Sequence, residues 1–159
     1  MLPGVMIDFL ARASVAVAST RDAHLVPHIH FLSGWSVEED RETVLCLVAA
    51  GFVPNLMGPL EDNGQLAMTA EKIGPHETYQ FKGRYVGSRP PCAADVALVE
   101  ACRERFVVDV QRAYGDRFTR EMLRRKYGEP ALAVRFRVHE VYVQTPGPAA
   151  GRRLLPREE

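Results

Sequence analysis

The chain has 159 residues, 47% of them hydrophobic and 25% charged, which suits one continuous core and excludes a disordered or fibrous protein. Its 20 basic and 20 acidic side chains cancel, so bulk charge favours neither nucleic acid nor anionic lipid as a partner. Asp8 and Arg12 interrupt the apolar start, and we expect neither a secretory leader nor a membrane span there. The three cysteines form no CxxC pair, which favours reduced thiols in a cytoplasmic protein over disulfides or a zinc site.

Hydrophobic periodicity and turn residues divide the chain into short strands followed by a late pair of helices. The first predicted elements are a helix over 3–12, strands over 13–20 and 26–32, a loop or a further hairpin turn over 34–40, and a buried strand over 43–49. They are followed by a short irregular helix over 54–60, strands over 64–70 and 78–86, helices over 93–114 and 116–127, and a strand over 131–144. Gly83 indicates a bulge or a close approach of another backbone, and Glu140 indicates a register slip or a bulge.

This order of elements predicts a mainly β fold, an antiparallel barrel or half-open sheet with helices inserted late. Alternating βαβ units are missing, which disfavours a doubly wound nucleotide-binding fold. We expect a single domain over 1–145, with a helical insert over 92–128, followed by a tail over 146–159 that is rich in proline, glycine and charge.

Several polar side chains are candidates for a binding site. His28 and His30 lie two residues apart on a strand and therefore share a face, where they would contact a phosphate, join His24 at a metal, or simply form a polar surface. No fourth ligand lies nearby, so a metal site is disfavoured, while the phosphate site and the polar surface stay open. Lys82 and Arg84 also share a face and form either an anion site or a solvated or dimer-supporting surface.

The only tryptophan, Trp35, falls in the predicted loop over 34–40, where packing is favoured over stacking on a ligand ring. No Ser-His-Asp or Cys-His arrangement is recognisable, and no catalytic residue is identified. Where a cofactor carries the reaction, few acid or base groups are needed from the protein, so this does not argue against an enzyme.

Four segments occur in the order found in a known family: SVAVASTRDAHLVPHIHFL, TVLCLVAAGFVPNLMGPLEDNGQLAMTA, ETYQFKGRYVG and VRFRVHEVYVQTPGPAAGRRL. Through them the chain resembles the FMN-binding split-barrel family related to pyridoxamine 5′-phosphate oxidase. The resemblance implies a split antiparallel β-barrel of about six strands, with a short N-terminal helix and a two-helix insert near 93–127. It also implies a homodimer that binds FMN at the subunit interface.

The resemblance also assigns cofactor-binding residues. They are Ser19, Thr20, Pro27, His28, Ile29, His30, Val48, Ala49, Ala50, Pro54, Asn55, Thr78, Gln80 and Lys82. The chain departs from the family in the loop over 50–55, which lacks the cation that commonly binds the phosphate. Arg21, Lys82 or Arg84 would have to supply that charge from nearby strands, or His28 and His30 would do so, best when protonated.

The function implied is that of a cytoplasmic FMN-binding oxidoreductase acting on a small organic substrate, with neither nucleic acid nor membrane as partner. Pyridoxamine 5′-phosphate oxidase activity itself is disfavoured, because only Arg152 and Arg153 resemble that subgroup's basic tail. Two alternatives stay open. One is a non-catalytic module that binds a flavin, a deazaflavin or haem, and the other is a cofactor-free dimeric interaction protein.

Overall fold

The computed structural model describes residues 1–155, apart from the side chains of residues 125–127. The end of the predicted tail, residues 156–159, lies outside the described residues. The elements are α1 (Gly4–Arg12), β1 (Val15–Arg21), β2 (Pro27–Phe31), β3 (Gly34–Val37), β4 (Thr43–Ala49), a 3-10 turn (Ala50–Phe52), α2 (Val53–Asn63), β5 (Gln65–Lys72), β6 (Glu77–Arg89), α3 (Ala93–Tyr114), α4 (Arg120–Tyr127), β7 (Pro130–Val143) and β8 (Arg153–Leu155).

The strands form one antiparallel sheet in the order β2-β1-β5-β6-β7-β4-β3, with β8 added beside β7. The two edge strands, β2 and β3, follow one another in the chain. Between them Leu32 N–H donates to the Ala16 carbonyl at 3.1 Å and Ser33 N–H donates to the Leu47 carbonyl at 2.8 Å. This link draws the edges together, so the sheet curls into the split half-barrel that the sequence predicts.

Strand β4 is buried along its whole length because both of its faces are covered. Val44, Cys46 and Val48 belong to the barrel core, whereas Leu45 and Leu47 pack beneath α3. The prediction of a strand buried on both faces is therefore confirmed. Because α3 contacts β3 and β7, it covers this side of the barrel. It does not cover the outer face of β1, β5 and β6.

A β-bulge shapes the pairing of β6 with β7, as Gly83 and Glu140 indicate from the sequence. Lys82 pairs with Glu140 and Gly83 with Val138, which leaves His139 as the extra residue of β7. At Gly83 a side chain is excluded, since a Cβ would lie 1.9 Å from the Arg137 carbonyl oxygen.

Two sequence predictions are corrected by the structure. The predicted loop or hairpin turn over 34–40 contains strand β3, and Trp35 is buried in it, 4% exposed, with its indole N–H donating to the Leu10 carbonyl at 2.9 Å. The second inserted helix begins at Arg120 and not at residue 116, because the Thr119 side chain accepts a hydrogen bond from the Met122 N–H and caps it there. The six predicted strands are all present, and the described chain adds the short strands β3 and β8 to them.

Candidate functional site

The strand register sets a row of side chains across the outer face of the barrel. Ser19 pairs with Ala67, Ala67 with Lys82, and Lys82 with Glu140. Their neighbours along β1 and β5, such as Thr20, are buried on the opposite face. The row therefore joins four strands that are distant in sequence, and small side chains at β1 and β5 meet charged ones at β6 and β7.

A cavity of about 360 Å³ opens over this row. Its lining residues are Ser19, Thr20, Arg21, Gln65, Leu66, Ala67, Lys82, Gly83, Arg84, His139 and Glu140. It brings together Arg21, Lys82 and Arg84, the three cations that the sequence offers in place of one in the loop over 50–55. Among the described lining residues Glu140 is the only carboxylate, so positive charge predominates in the cavity.

Contacts around the cavity hold these groups in place. Arg84 Nη1 donates to the Asn63 carbonyl at 2.6 Å, and Lys82 Nζ lies 4.7 Å from the centroid of the Tyr142 ring. The Glu140 carboxylate accepts a hydrogen bond of 2.6 Å from the Tyr142 hydroxyl, and this contact raises the pKa of Tyr142. The Glu140 carboxylate keeps its negative charge in this hydrogen bond, but it is outnumbered by three cations in the cavity lining, and the remaining positive charge suits an anionic ligand.

Thr20 also lines the cavity, but its side chain lies on the inner face of β1. Its hydroxyl oxygen is buried there and has no hydrogen-bond partner among the described residues. Buried polar atoms are paired in the great majority of cases, so this hydroxyl suits a water molecule inside the barrel and not a ligand on the outer face.

A second cavity, of about 330 Å³, lies between the turn joining β1 to β2 and the start of α2. His28, Pro54 and Asn55 line it together with Asp22, whose Oδ2 lies 3.7 Å from His28 Nε2. The other carboxylate oxygen of Asp22 accepts hydrogen bonds from the N–H groups of Val26 and His24, and these lower its pKa. The cavity thus pairs a histidine with a carboxylate and lacks the concentration of cations seen on the outer face.

His30 points into the barrel, where it is only 2% exposed and neither ring nitrogen has a hydrogen-bond partner among the described residues. Its ring centroid is 5.9 Å from that of Phe52 in the 3-10 turn. Burial, and then the charge of His28, lower the pKa of His30. The neutral imidazole is therefore favoured, a form less suited to phosphate than the protonated one.

The remaining residues assigned by the resemblance are spread over the barrel. Val48 and Ala49 are buried in β4, Ala50 is exposed in the 3-10 turn, Pro27 and Ile29 are exposed on the edge strand β2, Thr78 is buried on β6, and Gln80 is half-buried on β6. Gln80 Nε2 donates to Thr69 Oγ1 at 3.3 Å, in the outer row next to that of Lys82. Ser19, Thr20 and Lys82 lie together in the basic cavity, but His28, Pro54 and Asn55 lie in the second one.

Sequence reasoning did not name Gln65 or His139 as site residues. The irregular alternation near Glu140 was the available signal for His139, since a bulge turns two successive side chains toward one face. In the part of the chain that the structure describes, no group of three or more His, Cys, Asp or Glu side chains is placed to hold a metal ion. None of the described helices is both long and apolar enough to cross a membrane.

No protein-family model matches the sequence, and no curated protein matches it. Solved structures do match. HupZ of Group A Streptococcus is 18% identical, with 95% of this chain and 100% of that chain covered and a TM-score of 0.56. An F420 reductase is 12% identical, with 88% of this chain and 98% of that chain covered and a TM-score of 0.55. A pyridoxamine 5′-phosphate oxidase-related, FMN-binding protein of Nostoc punctiforme is 12% identical, with 94% and 88% covered and a TM-score of 0.54.

At these identities the likeness establishes the fold. The chain has the split-barrel fold seen in FMN-binding proteins related to pyridoxamine 5′-phosphate oxidase, as the four sequence segments predicted.

Proposed function

We propose that the protein binds FMN on the outer face of the barrel, with the cofactor phosphate in the basic cavity, and acts as a cytoplasmic oxidoreductase on a small organic substrate. The observation that carries the proposal is the convergence of Arg21, Lys82 and Arg84 on one cavity. A phosphate dianion needs charge-assisted donors, and these three side chains provide them where the loop over 50–55 does not.

The residues present fit the cofactor. Lys82 and Arg84 would bind phosphate oxygens, and the Ser19 hydroxyl would donate to phosphate or ribityl oxygens. A contact of the cofactor with Thr20 stays a prediction, because the Thr20 hydroxyl is buried on the inner face of β1. When bound, the isoalloxazine ring supplies the redox chemistry, and the protein's part is to bind it, orient it and exclude water. The contacts assigned to the other residues of β2, β4 and α2 stay predictions.

The proposal includes a homodimer. Leu25, Val26 and Ile29 on the edge strand β2 and its turn are 68%, 48% and 65% exposed. A run of exposed apolar side chains beside a ligand cavity is typical of a surface that another chain covers. A second copy seated there would exclude water from the cofactor.

A deazaflavin cofactor is the second candidate, favoured by the likeness to an F420 reductase. The same cations would bind its phosphate, so the basic cavity serves either cofactor. The two candidate cofactors are distinguished by the rate at which the protein reduces a supplied acceptor, measured once with FMN bound and once with a deazaflavin bound.

A binding titration that varies only the phosphate tests the site. We expect the purified protein to retain FMN, read from the visible absorption bands, and to bind riboflavin much more weakly because riboflavin lacks the phosphate. Lys82→Ala should weaken FMN binding about tenfold or more, the loss expected of one charged hydrogen bond, and leave riboflavin binding unchanged. Arg112→Ala removes an exposed cation of α3, 79% exposed at the side chain, and is the matched control.

Failure of the wild-type protein to retain FMN would overturn the proposed function. If FMN is retained but Lys82→Ala binds it as tightly as the wild type, the phosphate lies outside the basic cavity and the proposed site is wrong.

A further inference from the structure

A third cavity lies between the barrel and the inserted helices, away from the basic cavity. Its volume is about 40 Å³. Its lining residues are Ser14, Val15, Phe31, Leu32, Ser33, Trp35, Cys102, Arg103, Phe106 and Leu123. Most of these side chains are apolar, so the cavity suits a ligand that is itself largely apolar.

Only one polar group of this lining lacks a partner in the described chain. Ser14 Oγ donates to Asp109 Oδ2 at 2.5 Å. The Arg103 guanidinium donates to Glu100, to Glu129 and to the Gly128 carbonyl. Ser33 Oγ, in contrast, is buried without any hydrogen-bond partner, in a residue that is 7% exposed. An unpaired buried hydroxyl in an apolar pocket fits a ligand that carries one hydrogen-bonding group.

Helix α4 closes this cavity through one side chain. Leu123 is the only buried residue among the described side chains of α4, and it lines the cavity. At the end of α4 the Gly128 carbonyl accepts a hydrogen bond from Arg103 of α3. Among the described residues α4 is also joined to α3 by partly exposed ion pairs, Arg120 with Glu104 and Arg124 with Glu100. Pairs of this kind contribute little to stability in water.

The segment that carries α4 lies between Gly115 and Gly128, whose φ angles are 89° and 66°. Glycine tolerates such angles without steric cost and can change them readily, so the Gly115 end can act as a hinge. The Gly128 carbonyl is held by the buried Arg103, so the segment would open about that end. With Leu123 in place the cavity is far below the roughly 150 Å³ of an apolar cavity that binds benzene. Entry of a ligand therefore requires that Leu123 withdraw.

We propose that α4 is a displaceable lid, that Leu123 is its plug, and that the space beneath it binds a small apolar molecule whose single hydroxyl or carbonyl group pairs with Ser33. The site goes beyond the proposed flavin function and does not depend on it, since no lining residue is shared with the basic cavity.

Cysteine labelling tests the lid, because the three cysteines lie at three depths. Cys92 is exposed, Cys102 lines the covered cavity, and Cys46 is fully buried in the barrel core. In a Cys92→Ser background, Cys102 should react with a thiol reagent much faster than Cys46. Arg124→Gln breaks one of the lid's ion pairs and leaves the contact of Glu100 with Arg103 in place, so it should increase the labelling rate of Cys102 alone. Equal rates for Cys102 and Cys46 in both proteins would show that α4 opens only on global unfolding and would overturn the lid.

Binding of a fluorinated probe tests the pocket, with 4-fluorobenzyl alcohol followed by its ¹⁹F signal. Leu123→Ala should tighten binding about tenfold or more, because the plug is removed. Met122→Ala, which shortens an exposed neighbour on the same helix, should leave binding unchanged. Ser33→Ala should weaken binding of the alcohol about fivefold, the loss expected of one hydrogen bond, and leave fluorobenzene binding unaltered.

Absence of saturable binding to both the wild type and Leu123→Ala would overturn the pocket, as would equal binding to Leu123→Ala and Met122→Ala. Both experiments use protein without added flavin, so FMN retention and lid opening can each succeed or fail separately.

Discussion

Replacing Gly83 with alanine should destabilise the protein strongly, because β6 and β7 approach too closely at this residue for any side chain. A Cβ at Gly83 would lie 1.9 Å from the Arg137 carbonyl oxygen and 2.7 Å from its carbonyl carbon. To restore an ordinary contact of 3.4 Å the oxygen must move by about 1.5 Å, the difference between the two distances. Arg137 pairs with β4 on one side and β6 on the other, so the movement disturbs two ladders.

Overpacking and the loss of one or two ladder hydrogen bonds together give an expected cost of about 2–4 kcal/mol. Urea denaturation followed by circular dichroism measures it as a lowered midpoint. The matched control is Gly51→Ala in the 3-10 turn, where a Cβ meets nothing within 4 Å and the glycine has no positive φ. This change should stabilise the protein by about 0.4–1 kcal/mol, because alanine restricts the unfolded chain more than glycine does. A free energy of unfolding for Gly83→Ala within about 0.5 kcal/mol of the wild type would refute the close approach, since that is the range of unremarkable surface substitutions.

Three further predictions concern other parts of the molecule. The pKa of His30 is lowered in the folded state, so the unfolded chain binds more protons than the folded one near and below the ordinary pKa of 6.5. The free energy of unfolding should therefore fall between pH 7.5 and pH 5, by at most about 2 kcal/mol. His30→Leu should remove this part of the pH dependence, measured as the urea midpoint at each pH. Arg103→Met should cost about 2–4 kcal/mol by urea denaturation, because it removes a buried guanidinium from two carboxylates and a carbonyl, while the exposed Arg112→Met should change little. Ile29→Lys should shift the protein toward monomer in sedimentation equilibrium, whereas Val96→Lys on α3 should not, and equal behaviour of the two would remove β2 from the proposed dimer surface.

The sequence predicts those elements whose pattern is local. Strand β4 follows from its unbroken apolar run, and the long β7 from alternation that fails only near Glu140. Strand β3 was missed because Gly34–Val37 is short and runs directly into the acidic turn that follows it. Strand β8 was missed for another reason: Arg153–Leu155 is extended because it pairs with β7, and no pattern of its own marks it.

The candidate site could be predicted only in part, because it depends on register. Ser19, Gln65, Lys82 and Glu140 are widely separated in the sequence and meet only because four strands pair with particular offsets. A slip of one residue in any strand would turn its side chain into the core. The resemblance predicts Ser19, Thr20 and Lys82 as site residues. The loop over 50–55 lacks a cation, which makes Arg21 and Arg84 candidates for binding the phosphate. The separation of these residues from Pro54 and Asn55 appears only in three dimensions.

The two outer faces of the barrel differ in a way that explains where a ligand would lie. On β4 the outward residues Leu45 and Leu47 are apolar, and the chain covers them itself with Val99 of α3. On β1 and β5 the outward residues at the centre of the cavity are small, Ser19 and Ala67, so that face gives a helix little apolar surface to bury. Cations beside small side chains form a cavity that water or an anion can fill and that the chain's own apolar residues cannot. The uncovered face is therefore consistent with a surface that is completed by a cofactor.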